Sequence, residues 1–167
     1  MKKLLLIALL IVGCDIYDSP IPIEGCMDSN ALNYDLKAEK DDGRCIYDTT
    51  PPSITSLTFN SSHCNYQYDE EGNYQQDVCT QEYSWTSFKF TAVVFDGLYG
   101  SGVDYVEAWI GYESLGKDYD GPYYTWDWNP SYLSEYEGNK TFRVKAYDKE
   151  GNYKQKTDKF YFIPYDN

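Results

Sequence analysis

Between Cys26 and Cys45 the chain crowds Asp28, Asn30, Asn33, Asp35, Asp41 and Asp42 into one short stretch. Carboxylates and amides of this kind are hard oxygen donors, and calcium takes about six to eight of them. Closing the stretch at its two cysteines would gather Asp28, Asp35, Asp41 and Asp42 as a ligand set, which makes calcium the one cofactor these residues would suit. The spacing is not that of an EF-hand, which needs alternating acidic positions before a glycine and a late glutamate. The same side chains also cap turns and solvate a small disulfide-closed loop. Both readings stand at this point.

Two further sets carry chemistry. Trp109, Tyr123, Tyr124, Trp126 and Trp128 have ring faces on which sugars stack, so Trp109, Tyr123, Trp126 and Trp128 are candidate ligand-binding residues. The plainer reading has Trp126 or Trp128 plugging a core. Asp96 and Asp148 would end neighbouring strands at one pole, with Asp104 and Asn152 reaching them from adjacent loops, or else these residues simply shape their turns. Catalysis finds little footing. The sole histidine, His63, abuts Cys64 with no evident partner for nucleophilic work. Zinc-ligand spacing and a phosphate-cradling glycine loop are both lacking. No catalytic residue is assigned, and the expectation is a non-enzymatic protein.

The elements that must position these groups read as strands. Tyrosine supplies 19 of the 167 residues, and aromatic residues suit half-buried pleated surfaces. Residues 87–95 alternate cleanly, with Phe88, Phe90, Ala92 and Val94 on one face. Val106, Ala108 and Ile110 share a face in 103–112, as do Tyr124, Trp126 and Trp128 in 123–128. In 141–148, Phe142, Val144 and Ala146 point inward and Arg143 and Lys145 outward; 153–163 is a closing strand. Residues 54–59 alternate imperfectly. Strands at this spacing, separated by Gly, Asn and Asp turns, predict an all-β sandwich. The net charge of −13 excludes nucleic acid as a partner, because phosphate binding needs clustered cations.

There are five cysteines: Cys14, Cys26, Cys45, Cys64 and Cys79. Four remain once Cys14 is set apart, and of the three pairings they allow we expect Cys26–Cys45 and Cys64–Cys79, each bracketing its own polar segment. Each loop would add about 3 kcal/mol in the chain-entropy model. The second encloses a polar insert, 64–79, turning at DEEGN.

Residues 1–14, MKKLLLIALLIVGC, combine two lysines, a short apolar run and a terminal cysteine, as a signal peptide does. Ile11-Val12-Gly13-Cys14 resembles the bacterial lipoprotein lipobox. That resemblance implies cleavage before Cys14, acylation of Cys14, and a membrane partner held through lipid. DTTPPSI, FTAVVFDGLYGSGVDYVEAWI, YTWDW and EGNKTFRVKAYDKEGN together resemble a bacterial immunoglobulin-like domain over most of 48–163. This implies a Greek-key sandwich. The frame of 25–45, from Gly25-Cys26 through Asn33-Tyr34-Asp35 to Asp41-Asp42-Gly43-x-Cys45, is similar to short modules in exported proteins of environmental, especially marine, bacteria. The organisation expected is a signal peptide over 1–13, a lipid-anchored tether over 14–24, a disulfide-closed acidic module over 25–47 and the sandwich over 48–167. Such a protein would sit at the cell envelope and meet a protein or polysaccharide there, by immunoglobulin-like display or by carbohydrate binding; a hydrolase ranks below both.

Overall fold

Period-two alternation of Phe, Val, Ala and Trp can bury only one face of each strand, so two such sheets must close on each other. In the computed structural model, which describes residues 21–59, 62–83, 86–130 and 137–165, they do so. The strands are β1 (Glu24–Gly25), β2 (Lys40–Asp41), β3 (Ser53–Phe59), β4 (Cys64–Tyr68), β5 (Tyr74–Thr80), β6 (Phe88–Phe95), β7 (Val103–Ile110), β8 (Glu113–Asp118), β9 (Tyr123–Trp128), β10 (Gly138–Asp148) and β11 (Tyr153–Ile163). A three-stranded sheet in the order β3-β6-β9 faces a six-stranded sheet in the order β4-β5-β11-β10-β7-β8. The chain crosses between sheets from β6 to β7, back from β8 to β9, and again before β10. This is an all-β immunoglobulin-like sandwich.

Aromatic rings fill the centre of the core, with Ile, Val and Ala between them. Phe88, Phe90, Phe142, Phe160, Phe162 and Trp128 are fully buried. Phe90 and Phe142 meet across the sheets at 4.8 Å between centroids, and Trp128 and Phe162 at 5.0 Å. The imperfect alternation of 54–59 has a structural cause. A bulge displaces Thr55 from the β3–β6 ladder, so Ile54 and Leu57 both turn inward although three positions separate them. The carbonyls freed there are taken up by Lys156, whose Nζ donates to the Thr55 oxygen at 3.0 Å.

The 64–79 insert is a hairpin, β4 against β5, closed at its base by Cys64–Cys79. Its turn is held by the Asp69 carboxylate, which accepts from the Asn73 backbone at 2.7 Å. Rather than standing free, the hairpin widens the larger sheet, because β5 runs parallel to β11.

The N-terminal module is closed by Cys26–Cys45 and carries one parallel pair, β1 with β2. The Asn33 side chain holds its closing segment, donating to the Arg44 carbonyl and accepting from the Ile46 amide, both at 2.7 Å. The module's exit, Ile46 to Asp48, is fixed to one pole of the sandwich: the Ser101 amide donates to Asp48 Oδ2 at 2.9 Å. Cys14, the expected signal peptide and most of the expected tether lie outside the described residues.

Candidate functional site

The four module carboxylates do not converge. Each serves as a local acceptor for the amide two positions on: Asp28 for Asn30, Asp35 for Lys37, Asp41 for Gly43 and Asp42 for Arg44. Asp28 also accepts the Tyr47 hydroxyl at 2.8 Å, and the Asn30 amide, first, with Tyr47 holds its carboxyl below the usual range. The set of Asp28, Asp35, Asp41 and Asp42 expected for calcium is not brought together as one group of close oxygens among the described residues; each acid serves its own turn.

Carboxylates converge instead at the pole where the module meets the sandwich. Oxygens of Asp48, Asp96 and Asp148 lie within 4.8 Å of one another, and among the described residues this is the only such group. Asp96 follows the last residue of β6 and Asp148 is the last residue of β10, so both strands end at this pole; Asp48 arrives from the segment entering β3. Asp104, expected to join, falls in the irregular step between β7 and β10 and stays exposed. Asn152 does take part, with Nδ2 donating to Asp148 Oδ2 at 2.9 Å.

The backbone holds each carboxylate differently. Asp48 accepts from the Ser101 and Thr50 amides, which keep its carboxyl below the ordinary range although it is 6% exposed. Asp96 accepts from Gly102 at 2.7 Å, but burial and then the charges of Asp48 and Asp148 push its carboxyl up. Asp148 accepts from the Glu150 and Asn152 amides at 3.0 and 2.8 Å. Gly100 closes over this arrangement; a Cβ there would collide with the Asp96 carboxylate. Among the described residues no lysine or arginine pairs with the three acids. The group is sized for one divalent cation through single oxygens of each acid. Its hydrogen bonds also do structural work, tying the module's exit to the ends of two strands.

The aromatic candidates divide. Trp126 and Trp128 are 5% and 2% exposed and pack in the core, so no sugar can stack on them. The Trp128 indole donates to Glu113 Oε2 at 3.0 Å, tying β9 to β8 across the sandwich edge. Tyr123 is exposed on the small sheet, and Trp109 is half-buried on the outward face of the large one.

That outward face carries an arrangement the sequence did not reveal. Cross-strand register lines up Tyr153, Tyr147 and Tyr105, with centroids 5.6 and 4.7 Å apart, and Tyr119 continues the row 5.9 Å beyond Tyr105. Cations sit on these rings. Lys117 Nζ lies 3.6 Å from the Tyr105 centroid, and Lys145 Nζ lies 3.9 Å from Tyr153 and 4.6 Å from Tyr147. One step along the strands, the Arg143 guanidinium stacks 4.6 Å from Trp109. The Tyr147 hydroxyl, first among the causes, raises the Lys145 ammonium above the usual lysine range, so it stays charged. Glu107 sits between the two lysines in the same cross-strand row and accepts the Tyr147 hydroxyl at 3.3 Å.

No protein-family model matches this sequence, and comparison with curated proteins finds no match. Among solved structures, Clostridium thermocellum CbhA fibronectin(III)-like modules are similar to it at 17% identity and a TM-score of 0.46. The likeness covers 72% of this chain and 50% of that one, so the chain spans about half the length of the structure it resembles.

Proposed function

We propose that this chain is a non-enzymatic exported lipoprotein that displays an immunoglobulin-like binding domain close to a membrane. Acyl chains on Cys14 would hold it, the segment through residue 24 would act as a tether, and the disulfide-closed module would set the sandwich off from the bilayer. The observation that carries the display reading is the outward face of the six-stranded sheet. Three cations are seated there on aromatic rings instead of sweeping through solvent. Cation–aromatic seating of this kind fixes the side chains before a partner arrives, and less conformational freedom is then lost on binding.

Anchoring is tested by the intact mass of protein extracted from membranes. The expected result is a chain beginning at Cys14 and carrying acyl groups. A chain retaining residues 1–13, or a free unmodified terminus, contradicts it. Display is tested by protease accessibility of the 64–79 hairpin and the 97–101 loop in whole cells and in permeabilised cells.

A further inference from the structure

The net charge of −13 means that acidic side chains dominate the surface as a whole, yet the outward face of the six-stranded sheet has the opposite balance. Lys117, Arg143, Lys145 and Lys159 project from it, against Glu107 between two of the lysines and Glu137, which accepts the Tyr161 hydroxyl at 3.0 Å. At physiological ionic strength the field of distant acids is screened within about 8 Å, so an approaching group meets the local cations. From this charge inversion and from the seating of the cations, we infer that this face docks an extended polysaccharide bearing carboxylate or sulfate groups. The inference rests on the display reading and names its partner.

Geometry favours a glycan over other anions. The tyrosine rings are packed against one another, Tyr105 on Tyr147 with planes 25° apart, so their faces are occupied by neighbours and by ammonium groups. A neutral sugar therefore finds the middle of the row, Tyr105 and Tyr147, already covered, and only the end rings Tyr119 and Tyr153 are largely exposed. What the row does offer is ammonium groups held in place over a flat surface. Lys145 and Lys117 stand on β10 and β8, two strand spacings apart, or about 10 Å. That separation is comparable to two sugar units of an extended chain, so a polymer charged at every second residue could meet both lysines in one pass across the strands. Arg143, held on Trp109, gives a planar two-pronged site for a further carboxylate or sulfate. A peptide partner would more commonly add to a sheet edge or enter a groove, and this surface is the middle of a sheet.

The test is affinity electrophoresis of the full-length, detergent-extracted protein through gels containing polygalacturonate, dextran sulfate, neutral dextran or polyglutamate. Retardation by the two anionic glycans and free migration in neutral dextran are expected, with retardation weakening as salt is raised. The double variant Lys117→Gln/Lys145→Gln should bind at least tenfold more weakly. Lys89→Gln, on the opposite sheet beside Asp127, should bind as the wild type does. A thermal melt of the double variant checks folding, and Arg143→Gln gives an independent second lesion on the same face. Equal retardation in neutral dextran, unchanged binding by both face variants, or binding to polyglutamate alone would overturn the inference. If no polyanion binds while Cys14 carries lipid, the partner is wrong and the anchored display reading stands. If polyanions bind but Cys14 is unmodified, the reverse holds.

Discussion

Asn152 reaches a segment 104 positions away while bonding its own turn: its Nδ2 donates to the Asp48 carbonyl at 3.1 Å and to Asp148 Oδ2 at 2.9 Å. Through this one amide the module's exit, the start of the sandwich and the β10–β11 turn share a common anchor. Asn152→Ala removes both bonds and leaves a buried carboxylate short of a donor, which should cost about 1–3 kcal/mol. Urea denaturation should show a lower midpoint with an unchanged slope. An unaltered midpoint would mean the module is not held there.

Asp96 should make stability depend on pH with a definite sign. Burial, together with Asp48 and Asp148, raises its carboxyl in the folded state, so the folded chain holds this proton more tightly than the unfolded chain does. Stability from this group is then present below the ordinary carboxylate range and is lost as pH rises through the raised folded value. Asp48 runs the other way. Its carboxyl is depressed, first by the Ser101 amide, so its contribution is present above the ordinary range and lost as pH falls through the folded value. The stability of Asp96→Asn relative to wild type should therefore grow as pH is raised from about 4 to 7. Melting curves of both proteins at several pH values give the difference directly, and a flat or declining difference would contradict the assignment.

In the module, Asp35 and Asp41 act as turn acceptors, so an amide oxygen should replace a carboxylate oxygen. Asp35→Asn and Asp41→Asn should shift the melt little, while the corresponding alanine variants lose about 1 kcal/mol each. The gap between asparagine and alanine variants should be the same with added calcium as with a chelator. A loss in the asparagine variants that appears only with calcium would restore a metal to this loop.

Trp128 separates core from ligand site. Truncation to alanine should destabilise the fold by about 3–5 kcal/mol, in the range for large buried aromatics. Denaturant titration measures this. A variant that keeps wild-type stability but loses a glycan partner would return Trp128 to the surface.

Much of the sandwich was legible because β6, β7 and β10 alternate cleanly, and Phe90, Ala108 and Val144 are buried where that alternation puts them. β3 blurs because its bulge shifts the phase at Thr55. β8 was missed, since Leu115 is the lone apolar residue in ESLGKD and an edge strand needs little burial. The parallel docking of β5 on β11 depends on segments far apart in sequence, which no local pattern encodes. The acidic pole was half legible: strand ends pointed to Asp96 and Asp148, while Asp48 was hidden in a stretch that reads as a linker before Pro51 and Pro52. Its signal was Asp48-Thr49-Thr50, the pattern of a side chain bonding its own backbone two positions on. The tyrosine row could not be seen before cross-strand register was known, because Tyr105, Tyr119, Tyr147 and Tyr153 come from four separate stretches of chain.

If the outward face of the six-stranded sheet is where a partner docks, its lysines are the groups a polyanion shields. Amine-reactive footprinting of the full chain with and without polygalacturonate measures that shielding, with labelled lysines read by peptide mass spectrometry. Lys117 and Lys145 should lose reactivity when the polymer is added, while Lys37 in the module and Lys89 on the small sheet stay as reactive as before. Protection at Lys37 or Lys89 with Lys117 and Lys145 unchanged, or no protection anywhere, would contradict it.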